Sequence, residues 1–364
     1  MQPVEQPTIH SPAELPSPAL LVFPDRIAAN IRRMIDIAGG PERLMPHVKT
    51  HKMAPVVKMQ LEQGITRFKC ATLAEARMVA EAGASDILLA YQLNAPMAAA
   101  FVDLQHAYPT IKFASLTDNL ASARLMNDLH ATYPGSKAKL YIDIDNGMHR
   151  TGIAPDKAAD LWHALQSLPN VTPAGLHVYD GHIRDTDLTQ RTRVCDEAFA
   201  PVEKLAAEIK APEIIAGGTP TFPIHARRKQ VTCSPGTCLL WDEGYGTGLP
   251  DQPFLVAAQL ITRVISKPQD GFVTLDLGHK AVSAENPIGK RVFFHGLQDY
   301  EVISQSEEHL VVKTPAATTL QVGDVLYGTP WHVCPTVALY NEAIVIENGE
   351  NGGSWPIARG RKLI

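Results

Sequence analysis

Between Met45 and Trp241, short apolar runs and longer amphipathic stretches alternate with a regularity that few folds can use. The runs MPHVKT, RFKCAT, SDILLAY, IKFASL, AKLYIDID, PAGLHVY, EIIAGG and QVTCSPGTCLLW have the length and residue content of strands. Between most of them lie stretches such as LAEARMVAEAG, NLASARLMNDLHATYP and DEAFAPVEKLAAEIK, with apolar residues at helical spacing and Gly or Pro at their ends. The link TPTFPIHARRK is the weakest helix of the series. Strands alternating with helices pair in parallel through right-handed crossovers. Eight such strands predict an α/β fold, a closed (β/α)8 TIM-type barrel over residues 15–250.

Past residue 250 the texture changes. FLVAAQLITRVISKP, GFVTLDLG, RVFFHGL, EVISQSEEHLVVKT, DVLYGTPWHVCPTVALY and EAIVIENG are β-branched and turn-punctuated, without long helices between them. They predict an appended all-β domain over 251–364, joined by residues 1–14, with ALLVFP a candidate strand of the same domain. A chain of 364 residues can bury cores for two domains. Its net charge of −5 argues against a broad grip on nucleic acid or an anionic membrane. No apolar run reaches the length of a membrane span, and MQPVEQPTIHSPAELPSP lacks the pattern of a signal peptide. Five scattered cysteines fit reduced thiols in a cytoplasm. The pair in CSPGTC has neither a metal spacing nor a secretory context, and the basic end ARGRKLI reads as a solvated tail.

Catalytic groups of such barrels sit at the C-terminal ends of the strands. Lys49, between His47 and His51 in RLMPHVKTHKM, takes that position on the first strand. It reads either as an amine nucleophile or as a solvated lysine on a βα loop. In IIAGGTPTF, after the seventh strand, Gly217 and Gly218 followed by Thr219 suit a loop closing on phosphate. Phosphate sites commonly lie after the last two barrel strands, and SPGT (Ser234 to Thr237) offers a second glycine turn there. The alternative is an ordinary tight turn.

In YIDIDNGMHRTGI the strand ends in an Asn146-Gly147 turn that sets Arg150 over the barrel mouth. Arg150 is suited to holding a phenolate or carboxylate oxygen, or else pairs with Asp143 or Asp145. GLHVYDGH places His177, Tyr179 and His182 around the sixth strand end, where Tyr179 and His182 are candidate acid–base groups or walls for a ring. In the β domain, His332 and Cys334 of GTPWHVCPTVALY share one face if the segment is a strand. An imidazole and a thiolate there form a two-point grip for zinc in preference to magnesium or manganese; a capped, partly buried cysteine is the plain reading.

Lysine on the first strand, a phosphate loop on the seventh, an arginine over the mouth and an appended β domain together suggest pyridoxal 5'-phosphate. The chain resembles the fold-type III pyridoxal phosphate enzymes related to alanine racemase, in the branch of D-threonine aldolases and eukaryotic-type D-serine dehydratases. MPHVKTHK resembles the branch's cofactor segment, which implies that Lys49 forms the Schiff base. GMHRTGI is similar to the racemase arginine motif, implying that Arg150 contacts the ring oxygen. AGGTPTF looks like the phosphate-binding run, and SEEH and HVCPT look like landmarks of the C-terminal domain. The resemblance implies a divalent metal at His332 and Cys334, with manganese and magnesium as alternatives to zinc. Two departures stand out. D-threonine aldolases carry an aspartate where Cys334 stands, whereas the dehydratases carry cysteine, and Ala216 and Pro220 flank the glycines.

The resemblance implies a lyase acting on small D-β-hydroxy-α-amino acids. The expected reaction is retro-aldol cleavage to glycine and an aldehyde. The alternative is dehydration to a 2-oxo acid and ammonia, with Lys49 taking the α-proton. A racemase would need a second base, for which Tyr340 and Tyr327 are available. A non-catalytic cofactor carrier would resemble the barrel alone. The resemblance also implies a homodimer.

Overall fold

The structure, a computed structural model, describes residues 7–360; the first six residues and the last four, part of the tail read as solvated, lie outside the described residues. The chain divides into two compact units that interleave along the sequence. The barrel unit comprises Met34–Lys49, Ala54–Gly236 and the chain from Ala358; the other comprises the described residues up to Arg33, Thr50–Met53 and Thr237–Ile357. The sequence places its boundaries at 15 and 250.

Strand β1 (Ala19–Val22) comes first and belongs to the second unit. The barrel strands follow as β2 (Arg67–Cys70), β3 (Asp86–Leu89), β4 (Lys112–Thr117), β5 (Ala138–Ile144), β6 (Val171–Val178), β7 (Ile214–Ala216) and β8 (Val231–Cys233). They pair in parallel in strict sequence order, as βα units require. Thr72, Asn94, Asn119 and Asp187 each cap a barrel helix by accepting the N–H three residues on, and Glu75 returns a bond to the Ala71 N–H. Met45, Leu88, Ala114, Leu116, Tyr141, Ala174 and Ile215 form a buried cluster within the barrel.

The predicted first strand is not a regular strand. Pro46 has no N–H to give a ladder, so pairing is reduced to bridges from Leu44 to Cys233 and from His47 to Lys69. These suffice to join the two sheet edges. Met45 N–H donates to Cys233 O, Lys69 N–H to Pro46 O and Val48 N–H to Lys69 O, each at 2.9 Å. The eighth run is a strand only over Val231–Cys233; Pro235 interrupts it and Thr237–Leu239 is a 3-10 turn. The weak link before it forms only a short helix, Phe222–His225.

The second unit holds β9 (Ala258–Ser266), β10 (Phe272–Leu275), β11 (Val292–His295), β12 (Glu301–Gln305), β13 (Leu310–Lys313), β14 (Val325–Pro330), β15 (Glu342–Glu347) and β16 (Glu350–Pro356). The sheet runs β12-β13-β10-β9-β1-β15-β16, with β14 also pairing to β9 and β11 to β14. ALLVFP thus supplies β1, parallel to β15 and antiparallel to β9. One expectation is overturned here. The HVCPT segment is no strand: β14 ends at Pro330, and His332 is the N-cap of a short helix, Val333–Val337. Pro335 falls in the first turn of that helix, where a missing N–H costs nothing. Among the described residues no helix is long and apolar enough to cross a membrane.

Gly175 sits where the β5–β6 register slips by one residue, at φ +140°, and a Cβ there would stand 2.1 Å from the Glu213 carbonyl oxygen. Gly175→Ala therefore lowers stability by about 3 kcal/mol, through steric overlap in a packed barrel. Denaturant unfolding measures it, and an unchanged midpoint at unchanged slope would contradict this account of the bulge.

Candidate active site

The C-terminal ends of the barrel strands bring together most of the residues singled out in the sequence. Lys49 follows the closing segment, and its backbone N–H donates to His47 Nδ1 at 3.3 Å. His51, in the second unit, plays a similar local part: its Nδ1 accepts from Met53 N–H at 3.1 Å, and burial pushes its pKa down to about 3. The two histidines around the lysine thus clamp turns.

Lys49 Nζ lies 5.5 Å from the centre of the Tyr179 ring, and the Arg150 guanidinium carbon 4.8 Å from the same ring. Arg150 reaches that position through the turn the sequence predicts. Asp145 Oδ1 accepts the N–H of Gly147 at 3.0 Å and of His149 at 2.9 Å, and Gly147 has φ +123°. His182 is exposed beside this turn, where a Cβ on Gly147 would come within 2.9 Å of its Nε2.

The aspartates weighed as partners of Arg150 are engaged elsewhere. Asp145 pairs with His149 at 2.8 Å. Asp143 accepts from His177 Nδ1 at 2.7 Å, Gln92 at 2.7 Å and Thr151 at 2.9 Å. Burial alone would raise the Asp143 pKa, but these bonds outweigh it and hold the carboxyl below its usual range. His177 Nδ1–H faces a carboxylate, which leaves Nε2 to accept from Lys69 Nζ at 3.4 Å. Lys69 is 2 % exposed, and burial, followed by repulsion from Lys49, pushes its pKa down to about 7. Lys69 thus borders the candidate site, and the sequence reading missed it. Its only signal was a lysine inside the apolar run RFKC.

The glycine run after β7 is wound inward. Gly217 has φ +81°, and its N–H donates to Val178 O at 2.9 Å. Gly218 N–H points to Thr221 Oγ1 at 3.4 Å, and Gly236 N–H, in the SPGT turn, donates to Thr219 Oγ1 at 3.2 Å. A Cβ on Gly218 would come within 3.0 Å of the Tyr179 ring. The glycines thus provide close approach, and the two predicted glycine turns are bonded to each other. Behind them Asp180, Cys195 and His225 form a buried cluster of potential ligand atoms. A cavity of about 730 Å³ at the opposite, N-terminal ends of the strands is lined by Lys139, Tyr141, Glu213 and Thr232 among others. Glu213 there accepts from Arg67, Tyr141 and Thr232, and the cavity is lined by none of the predicted site residues.

In the second unit His332 and Cys334 are close without being strand neighbours. Glu285 pairs with His332 Nδ1, and Cys334 Sγ lies 3.2 Å from Thr50 Oγ1 and 3.4 Å from Thr237 Oγ1. Burial disfavours charge on the imidazole, but Cys334 and Glu285 outweigh it and raise the His332 pKa to about 9. Burial would raise the thiol, and His332 beside it brings Cys334 below its ordinary value. Asp242 accepts Val333 N–H at 3.0 Å and anchors the helix that carries both.

A barrel with lysine, arginine and tyrosine at its mouth, followed by a separate antiparallel sheet, defines a class. Residues 22–242 match the family described as "Alanine racemase, N-terminal domain", and the chain belongs to it. Residues 257–346 match the "Putative serine dehydratase domain". A 3-hydroxy-D-aspartate aldolase of Paracoccus denitrificans is 28% identical over 371 residues, covering 96% of this chain and 93% of its own. A D-threonine aldolase of an Arthrobacter species is 29% identical over 363 residues, covering 96% and 94%. The crystal structure of D-threonine aldolase from Filomicrobium marinum superposes with a TM-score of 0.87 at 22% identity, covering 98% of each chain. The whole (β/α) barrel plus C-terminal sheet is therefore an alanine racemase-like fold.

Lys69 yields a pH test. Its folded pKa lies below its unfolded value near 10.5, so the charged form is penalised only in the folded state. The stability present above pH 10.5 is lost as pH falls towards 7, at roughly 1 kcal/mol per pH unit within that window. Lys69→Met in the cofactor-free protein should remove that slope. Urea unfolding at several pH values between about 7 and 10 checks it, and parallel curves for the two proteins would show that Lys69 stays charged in the fold.

Proposed function

We propose that the protein is a pyridoxal phosphate- and divalent metal-dependent lyase that cleaves D-β-hydroxy-α-amino acids in the manner of a D-threonine aldolase. The observation that carries this reading is the placement of Lys49 and Arg150 on one tyrosine ring, 5.5 and 4.8 Å from its centre, in a chain whose relatives along its length include two aldolases of such amino acids beside a D-threo-3-hydroxyaspartate dehydratase. The residues fit the cofactor. A lysine stands for the aldehyde, an arginine for the ring oxygen, and the Gly217–Thr219 run forms a cradle beside the ring wall that any side chain at Gly218 would fill. When bound, pyridoxal phosphate supplies an electron sink for charge developing at the substrate's α-carbon.

The chain's own residues do the rest. Lys49 holds the cofactor's aldehyde and moves a proton at its Nζ. Tyr179 walls the ring, and Arg150 fixes its orientation. Asp143, through His177, fixes the tautomer of an imidazole that receives a bond from Lys69, so the floor of the site keeps a defined set of donors. His182, exposed at the barrel mouth, is assigned as an acid–base group.

His332 and Cys334 suit a divalent metal, and their donor set favours zinc over manganese or magnesium. Glu285 on Nδ1 orients the ring, so Nε2 would be the ligand atom once a metal displaces its proton, as at histidines backed by carboxylates. The chemistry such a metal supplies is polarisation of the substrate's β-oxygen.

Dehydration is the second reading, favoured by the match of residues 257–346 to a serine dehydratase domain and by a cysteine at 334. Racemisation has less support. Tyr340, one of the two tyrosines available as a second base, donates its hydroxyl to Ala281 O at 2.7 Å, and burial raises its pKa.

Purified protein supplied with cofactor and zinc should release glycine and acetaldehyde from D-threonine, and a chelator should abolish it. Chelator-sensitive 2-oxobutyrate in their place would make the enzyme a dehydratase and overturn the aldolase reading.

A further inference from the structure

Behind the glycine run lies a buried chain of polar side chains that none of the proposed steps uses. His225 Nε2 is 2.7 Å from Asp180 Oδ2, Thr221 Oγ1 is 2.7 Å from Asp180 Oδ1, and Arg228 is 3.1 Å from His225 Nδ1. His225 and Thr221 are completely buried, and Asp180 is 1% exposed. Three of the barrel's connecting segments meet here: Asp180 follows β6, Thr221 follows β7, and His225 and Arg228 lie on and just after the short helix leading to β8.

The direction of every bond is fixed from one end. A guanidinium can only donate, so His225 Nδ1 accepts and Nε2 carries the proton it gives to Asp180. A carboxylate can only accept, so the Thr221 hydroxyl proton also goes to Asp180. The lone pairs of Thr221 Oγ1 then face the Gly218 N–H at 3.4 Å. The same polarity argues against a metal at Asp180, Cys195 and His225. While Arg228 donates to Nδ1, the Nε2 that faces Asp180 carries a proton and offers no lone pair to an ion.

We propose that Asp180, Thr221 and His225, locked by Arg228, are positioning residues that hold the Gly217-Gly218 turn in the shape that receives the cofactor's phosphate. The inference rests on reading that turn as the phosphate loop. A second feature of the geometry points the same way. A Cβ on Gly217 would stand 2.7 Å from His225 Cδ2 and 3.1 Å from Thr221 Oγ1, so the turn is seated directly on the relay. Asp180 is the hub, the one group that holds both the hydroxyl under the turn and the imidazole beside it. Its pKa is set by opposing influences: burial would raise it, and His225 together with Thr221 brings it below the usual range.

The test compares binding of pyridoxal phosphate with binding of pyridoxal, which lacks the phosphate, to cofactor-free full-length protein by absorbance titration. Asp180→Asn and, as a milder change that keeps the shape, Thr221→Val should each weaken pyridoxal phosphate by about tenfold or more, equivalent to roughly 1.4 kcal/mol. Pyridoxal affinity should change little, and His225→Gln, which keeps one donor and one acceptor, should retain most of the wild-type affinity for both. A merely structural role would weaken both ligands alike, and that result, or no loss in either variant, overturns the proposal. Zinc bound by the wild type and lost in Cys195→Ser would overturn it in favour of a metal centre. Wild-type protein that binds neither ligand would instead bring down the cofactor reading itself, a different failure from loss of phosphate selectivity.

Discussion

The barrel is closed by backbone hydrogen bonds at one seam, and the candidate site depends on that seam. Residues 44–48 donate to β8 and exchange bonds with β2, although Pro46 prevents a full ladder. Closure by so few bonds is sustained by burial: Leu44, Met45 and Val48 are fully buried, and Met45 joins the barrel's apolar cluster. Because the seam ends at Val48, the next residue emerges at the C-terminal rim, and that residue is Lys49. A lysine on a mobile loop would have to be ordered at each turnover; one that leaves a closed seam is ordered by the fold.

Around the rim, polarity is organised as chains with one-way donors. Lys69 donates to His177, which donates to Asp143; Arg228 donates to His225, which donates to Asp180. Each chain ends at a carboxylate that has no proton to give, so neither can reverse without breaking a bond. Fully satisfied networks of this kind stiffen the walls of a site, whereas a single missing partner in a low-dielectric interior is costly. The opposite end of the barrel shows the same rule without the site residues: Glu213 gathers Arg67, Tyr141 and Thr232.

Much of this is legible in the sequence because it is local. The βα alternation, Lys49 at its strand end, the Asn146-Gly147 turn that delivers Arg150 and the glycine run after β7 are each encoded within a short stretch of chain. What is not legible is non-local or depends on proline. Asp143 and His177 are 34 residues apart, Asp180 and His225 are 45 apart, and nothing at either position announces its partner. The HVCPT segment reads as a strand on alternation alone. Pro335 is equally at home in the first turn of a helix, which is where the structure puts it, and His332 and Cys334 meet around that turn. Lys69 hides in an apolar strand, since burial of a lone lysine is uncommon enough that sequence reading discounts it.

All of the proposed chemistry requires Lys49 to be the amine that takes the cofactor's aldehyde. Borohydride reduction of the protein incubated with pyridoxal phosphate, followed by peptide mass mapping, tests it most directly, because reduction makes the lysine–cofactor bond permanent. A single pyridoxyl-phosphate group on the peptide containing Lys49 is expected. A label on Lys69, or labels scattered over exposed lysines with Lys49 unmodified, would contradict it.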